Sequence, residues 1–153
     1  MKKKIGLWCF IIIMFVLLIF TLIDSNEKVA ASKIYNLLHQ MFWEAQNDYK
    51  EIMDTQSKDV EEWLYEKYGY YFTSNGWELV KESRIISLGI NQYREMNSVP
   101  QDVKINITER KDIKSWYTCQ VELIYENQKT YSYVFTVQSV KTDNGWLIEY
   151  ISR

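Results

Sequence analysis

Apolar and polar positions alternate in three different ways along this chain. From Ile5 to Ile23 there is no charged residue at all. At 1.5 Å per helical residue such a run reaches about 30 Å, the thickness of a bilayer's hydrocarbon core, so it is expected to span a membrane as one helix. The apolar spacing then becomes helical: Val29, Ile34, Leu37, Leu38, Met41, Ala45, Tyr49 and Ile52 recur at intervals near three and four and predict one helix over about Lys28 to Met53. A second helix is expected from Ser57 or Asp59, with Val60, Trp63, Leu64 and Tyr68 on its apolar face and Gly69 as its stop. A short third one starts at Thr73 or Asn75, turns Trp77 and Val80 inward, and ends near Arg84.

After Pro100 the period falls to two, which is how a strand with one buried and one wet face reads. Val103, Ile105 and Ile107 form the first such face, Tyr117 to Tyr125 the second, Tyr131 to Val137 the third, and Trp146, Ile148 and Tyr150 the last. A hairpin is expected around Glu126 to Lys129, and Asp143-Asn144-Gly145 supplies the next turn. Ile86, Leu88 and Ile90 alternate as a further short strand would, whereas Gly89 and the polar residues 91–97 read as a loop. The expected fold class is α+β: an N-terminal transmembrane helix, then two to three helices packed on a curved antiparallel sheet of four to five strands in meander order.

Charge orients this arrangement. Lys2, Lys3 and Lys4 precede the apolar run, and Asp24 and Glu27 follow it, so by the positive-inside rule the N-terminus is cytoplasmic and residues 24–153 form one extracytoplasmic domain behind a 1–23 stub and anchor. The alternative is a signal peptide cleaved near Ala31, with secretion of the rest; the length of the run favours a retained anchor. Without Lys2 to Lys4 the domain carries 15 basic against 20 acidic residues, a balance that excludes a nucleic-acid partner held by clustered cations. Cys9 falls inside the apolar run, which leaves Cys119 alone in the domain, so no internal disulfide can brace it.

Site chemistry is sparse. His39 is the sole histidine and reads as a partly exposed helix residue. One histidine and one exported cysteine do not build a zinc site, no phosphate or calcium loop is present, and no cofactor is expected. Glu122, Glu126 and Glu149 fall on the polar phase of their strands, and Glu44 and Asp48 are placed near the polar face of the long helix. Cys119, in phase with Tyr117 and Val121, is expected to be buried and inert.

Tyr71-Phe72-Thr73 leading into Gly76-Trp77, together with Asn144-Gly145-Trp146-Leu147-Ile148 near the C-terminus, resembles the cone-shaped nuclear-transport-factor-2-like (cystatin-like) superfamily, in its membrane-anchored extracytoplasmic Gram-positive form. That resemblance implies a cone of helices against a meander, a scaffold compatible with pairing into a homodimer, and an assembly or accessory role in a cell-envelope complex such as a secretion or conjugation system. The residues themselves leave three functions open. The first is a non-enzymatic protein-interaction module, with outward apolar positions Trp116, Val134, Val140, Leu147 and Ile151 as its surface. The second is a domain for a small apolar ligand, with Tyr117, Tyr131, Tyr133 and Trp146 lining a pocket. The third is an isomerase or hydratase, which would need a carboxylate buried in the cone.

Overall fold

The structure, a computed structural model, describes residues 28–54, 60–113, 115–126 and 128–153. The expected membrane span at Ile5 to Ile23 lies outside the described residues, and no helix among those described is long and apolar enough to cross a membrane. The chain is helical from residue 28 to residue 43 (α1), bends at Glu44, and continues as α2 (Ala45–Asp54). Backbone bonds from Glu44 N to Gln40 O (3.1 Å) and from Asp48 N to Glu44 O (3.0 Å) carry the ladder across the bend, so the single long helix read from the sequence is one helix with a break. Its buried stripe runs through Ala30, Ile34, Leu37, Leu38, Met41, Phe42 and Ala45. Val29, expected inward, is 55% exposed, because Ala30 is the residue four positions before Ile34 and takes the inward place.

Next come α3 (Val60–Tyr68), a 3₁₀ turn (Gly69–Tyr71), α4 (Ser74–Ser83), a second 3₁₀ turn (Ile85–Ser87) and α5 (Leu88–Met96). The Thr73 side chain caps α4 by accepting from Gly76 N at 2.9 Å, and Arg84 leaves the helix in the left-handed region at φ 56°. Residues 85–97, expected as a strand or a loop, are therefore mainly helical. Gly89 lies inside α5 where that helix crosses α1: a Cβ there would sit 1.8 Å from the Met41 carbonyl oxygen. Glycine is needed for this close approach of two backbones, and its breaking tendency is overridden.

Four antiparallel strands follow in meander order, β1 (Asp102–Glu109), β2 (Trp116–Ile124), β3 (Thr130–Thr142) and β4 (Gly145–Ser152). Of the β3–β4 turn residues only Gly145 takes a positive φ, at 98°. The inner face carries Tyr117, Cys119, Val121, Leu123, Tyr133, Phe135 and Val137, against which α1 packs Phe42, 5.1 Å from the Tyr133 ring centroid and 6.3 Å from that of Phe135. The outer face presents Asn106, Gln120, Glu122 and Val134 to solvent.

One irregularity reverses the last strand. Gln138 pairs with Tyr150 but Ser139 pairs with Ile148, so Glu149 is an extra residue on β4. Past this bulge the alternation flips, which corrects two expectations: Tyr150 turns outward to pack on Trp116 at 5.5 Å, and Ile151, expected outward, is 3% exposed in the core. The bulged Glu149 accepts hydrogen bonds from the Thr73 hydroxyl and from Asn75 Nδ2 (2.7 Å). Phe72 forms a parallel bridge to Ile148, and Thr73 N donates to Ile148 O at 3.0 Å. The two sequence segments that carried the family resemblance are thus in direct contact, with Gly76 set so close that a Cβ would meet Ile148 O at 2.4 Å.

Cys119 is fully buried, and burial pushes its thiol up to about 12. Its unfolded value is near 9, so the folded chain holds a proton that the unfolded chain releases between those limits, and this group's contribution to stability is lost as pH rises through that window. The slope expected from this thiol alone is about 1.4 kcal/mol per pH unit. Urea midpoints compared at pH 8 and pH 10 should fall more for the wild type than for Cys119→Ala; equal falls would show that the thiol does not titrate this way.

Candidate functional site

None of the clefts described below is lined by Tyr117, Tyr131, Tyr133 or Trp146, the pocket residues expected from the sequence. Tyr117 and Tyr133 are buried, and Tyr131 and Trp146 pack part-buried against the same core. Tyr133 donates to Gln92 Oε1, Tyr131 places its hydroxyl 3.1 Å from Met96 Sδ, and Tyr131 meets Tyr125 edge-on at 5.8 Å, so α5 packs against Tyr131 and Tyr133. Of the expected interaction surface, Val134 is 52% exposed on the outer sheet face, whereas Trp116 and Val140 are part-buried there. Leu147 is also part-buried and joins a different feature, described below. His39 is half-buried between the rings of Tyr35 (5.7 Å) and Trp43 (5.6 Å) along α1. Among the described residues no three of His, Cys, Asp and Glu converge as a metal site.

Asp48 differs most from its expected place. Its side chain has no exposed surface, where a position near the polar face of the helix was expected. It lies three residues after Ala45 on the buried stripe of the helix. Lys67 Nζ reaches one carboxylate oxygen at 2.5 Å, and the Tyr68 hydroxyl donates to the other. Glu44 and Glu51 each stand 3.7 Å from the same ammonium, and the Trp63 ring lies 5.0 Å from it. Burial pulls the Lys67 ammonium down, but the bond to Asp48 and the three carboxylates outweigh it and leave it raised. Burial, reinforced by Asp48, drives the Tyr68 phenol up. With both carboxylate oxygens engaged and Asp48 sealed from solvent, the cluster ties α2 to α3.

Open chemistry lies on the other side of α3. Gly69 ends that helix and, having no side chain, lets the Tyr65 ring lie over it; a Cβ would come 2.8 Å from two ring carbons. Tyr65 meets Trp77 of α4 edge-on at 5.2 Å, and Trp77 in turn packs on Phe72 at 6.0 Å. Between them is a cleft of about 450 Å³ with Phe72 and Trp77 at its floor and Glu61, Glu62, Glu78 and Lys81 at its rims. Lys81 bridges the rims, 3.0 Å from Glu61 and 2.8 Å from Glu78, and its hydrogen bonds to Glu78 and Glu61 raise its ammonium.

Two further clefts adjoin it. One of about 530 Å³ shares Tyr65, Gly69 and Phe72 with it and is also lined by Lys33, Glu66, Tyr70 and Leu147. Another of about 390 Å³ shares Glu61, Trp77 and Lys81 with it and lies beside Val60, Leu64 and Ile86. The three form a row of adjoining clefts along α3, the α3 groove, with Val60 (46%), Tyr65 (57%) and Tyr70 (57%) exposed along it. Sequence reading missed it, placing Val60 in the core. The available signal was the spacing of Glu61, Tyr65 and Gly69 at intervals of four, which sets them in one row on the helix.

Fold and groove define the class: a small α+β domain with its described helices on one face of a four-stranded antiparallel meander and an acidic, aromatic groove on the helical side. No protein family and no curated protein matches the chain. Among solved structures, a protein of unknown function from Bacteroides thetaiotaomicron is similar over 88% of this chain and 99% of its own, at 12% identity and a TM-score of 0.45. A protein from Campylobacter jejuni, provisionally named an NTF2-like transpeptidase, is similar over 74% of this chain and 90% of its own, at 18% identity and a TM-score of 0.35. At these scores the likeness assigns neither activity nor partner.

Proposed function

We propose that this chain is a membrane-anchored extracytoplasmic interaction module, and that the groove along α3 receives an extended, basic segment of a partner protein in the cell envelope. The row of adjoining clefts along α3 carries the reading. Exposed aromatic side chains give a segment contact area at low entropic cost, and rim carboxylates favour lysine or arginine side chains. Glu62 and Glu66 stand along it, next to Glu61 and Glu78, which Lys81 already bridges, and the domain as a whole has 15 basic against 20 acidic residues. Retention of the N-terminal segment is supported by Ala30, which is fully buried within α1. Cleavage near Ala31 would remove that core residue and the start of the helix.

A photo-crosslinking amino acid at Tyr65, introduced into the full chain in its native membrane, tests the docking. The expected product is a protein adduct whose mapped contact segment carries lysine or arginine. Glu62→Lys should lower its yield about fivefold, from roughly 1 kcal/mol for one reversed rim charge. Capture from a probe at Trp116 but none from Tyr65 would move docking to the outer sheet face and overturn the groove.

A further inference from the structure

At the start of α1 the surface changes character. A cleft of about 560 Å³ is lined by Lys28, Val29, Lys33, Tyr70 and Tyr71 together with small polar side chains, and among the described residues no carboxylate lines it. Among the described residues of a domain with five more acids than bases, the two lysines stand out in this cleft. Its rim is apolar as well: Val29 is 55% and Tyr70 57% exposed. The Lys33 ammonium lies 5.9 Å from the centre of the Tyr71 ring. Burial holds that ammonium below its usual range, a cost that a bound anion would offset.

The position of this cleft in the chain specifies what faces it. Only Asp24, Ser25, Asn26 and Glu27 separate the uncharged run from Lys28. Five peptide steps reach no further than about 17 Å. The headgroup zone outside the hydrocarbon core is itself about 5 to 7 Å deep. A retained span therefore keeps the first turns of α1 within reach of the headgroups. Lysines bind lipid phosphates, and an exposed tyrosine beside an aliphatic residue suits the boundary between headgroup and acyl chain.

We infer that the Lys28, Lys33 and Tyr70 cleft docks on the anionic phospholipid headgroups of the membrane that holds the anchor, setting the domain at a fixed tilt with the α3 groove leading away from the bilayer. The inference rests on the anchored reading above. The groove and the cleft share Lys33 and Tyr70 in their linings, so this tilt gives a partner segment one defined approach.

The test uses the full chain reconstituted in vesicles of phosphatidylcholine with phosphatidylglycerol, carrying a photo-crosslinking residue at Tyr70 or, for comparison, at Val134 on the outer sheet face. Lipid adducts at Tyr70 should exceed those at Val134 about tenfold, and should fall about tenfold when phosphatidylglycerol is omitted or in Lys28→Gln/Lys33→Gln. Equal yields at the two positions, or a Tyr70 yield indifferent to both changes, would overturn the docking. A protein dimer adduct at Tyr70 in place of lipid would assign the cleft to a second copy and overturn it equally. Alkaline extraction separates the two readings: a chain that stays in the membrane but gives no Tyr70 lipid adduct removes the docking alone, whereas a chain released from the membrane removes the anchored reading and the docking with it.

Discussion

Gly89→Ala is expected to destabilise the domain by about 3 kcal/mol or more, at or beyond the upper end of what overpacking usually costs. In an ordinary helix the same change would gain about 1 kcal/mol. Here the added Cβ would lie 1.8 Å from the Met41 carbonyl oxygen and 2.7 Å from its carbon. Both are backbone atoms within α1, so no side-chain rotation relieves the clash and α5 must shift away from Met41 and Phe42. Gly69→Ala is the internal comparison: its Cβ would meet only the ring of Tyr65, an exposed side chain able to swing aside. Urea denaturation of the two variants should therefore give clearly unequal losses. A Gly89→Ala chain as stable as the wild type would show that α1 and α5 do not cross at this distance.

The same glycine explains why residues 85–97 were the part of the fold least legible in the sequence. Their inward positions are Ile85, Ile86, Gly89, Ile90 and Gln92, spaced as a helix requires, but two of the five are not apolar side chains. With Gly89 and Gln92 discounted, what remained was the alternation of Ile86, Leu88 and Ile90, which imitates a strand. The true signal depends on α1 lying against Gly89, a tertiary fact that local periodicity does not contain. The meander, by contrast, was legible because each strand keeps its period-two pattern through Val137 on its own. It failed only beyond the Glu149 bulge, where one extra residue reversed the faces of Tyr150 and Ile151. The groove was hidden for a related reason. Its rims come from two helices and its far end from Leu147 of β4, so the grouping of Tyr65 and Tyr70 is visible only when those elements are set side by side.

Asp48 was legible in spacing and misread through charge: Met41, Ala45 and Asp48 share one buried stripe, and a carboxylate on it must be paired. Asp48→Ala should accordingly cost about 3 to 5 kcal/mol, because it leaves the Lys67 ammonium and the buried Tyr68 hydroxyl without their main partner. Glu44 and Glu51, each 3.7 Å from Lys67, retain part of the field and argue for the lower end of that range. Replacing the whole triad at once, Asp48→Leu with Lys67→Met and Tyr68→Phe, should recover most of the loss, since the net value of a buried pair over apolar packing is small. The pH dependence has a definite sign. Lys67 and Tyr68 are both raised in the fold, so their shared contribution is fully present below their unfolded values near 10 and is lost as pH climbs through the folded ones. Asp48→Ala removes the carboxylate that binds both protonated groups, and should lessen the part of the alkaline unfolding slope that lies above pH 10 and persists in Cys119→Ala, leaving what the burial of Tyr68 alone produces. If Asp48→Ala instead kept wild-type stability and slope, the carboxylate would not be what joins α2 to α3, and a buried acid free of structural duty would bring the isomerase or hydratase reading back into contention.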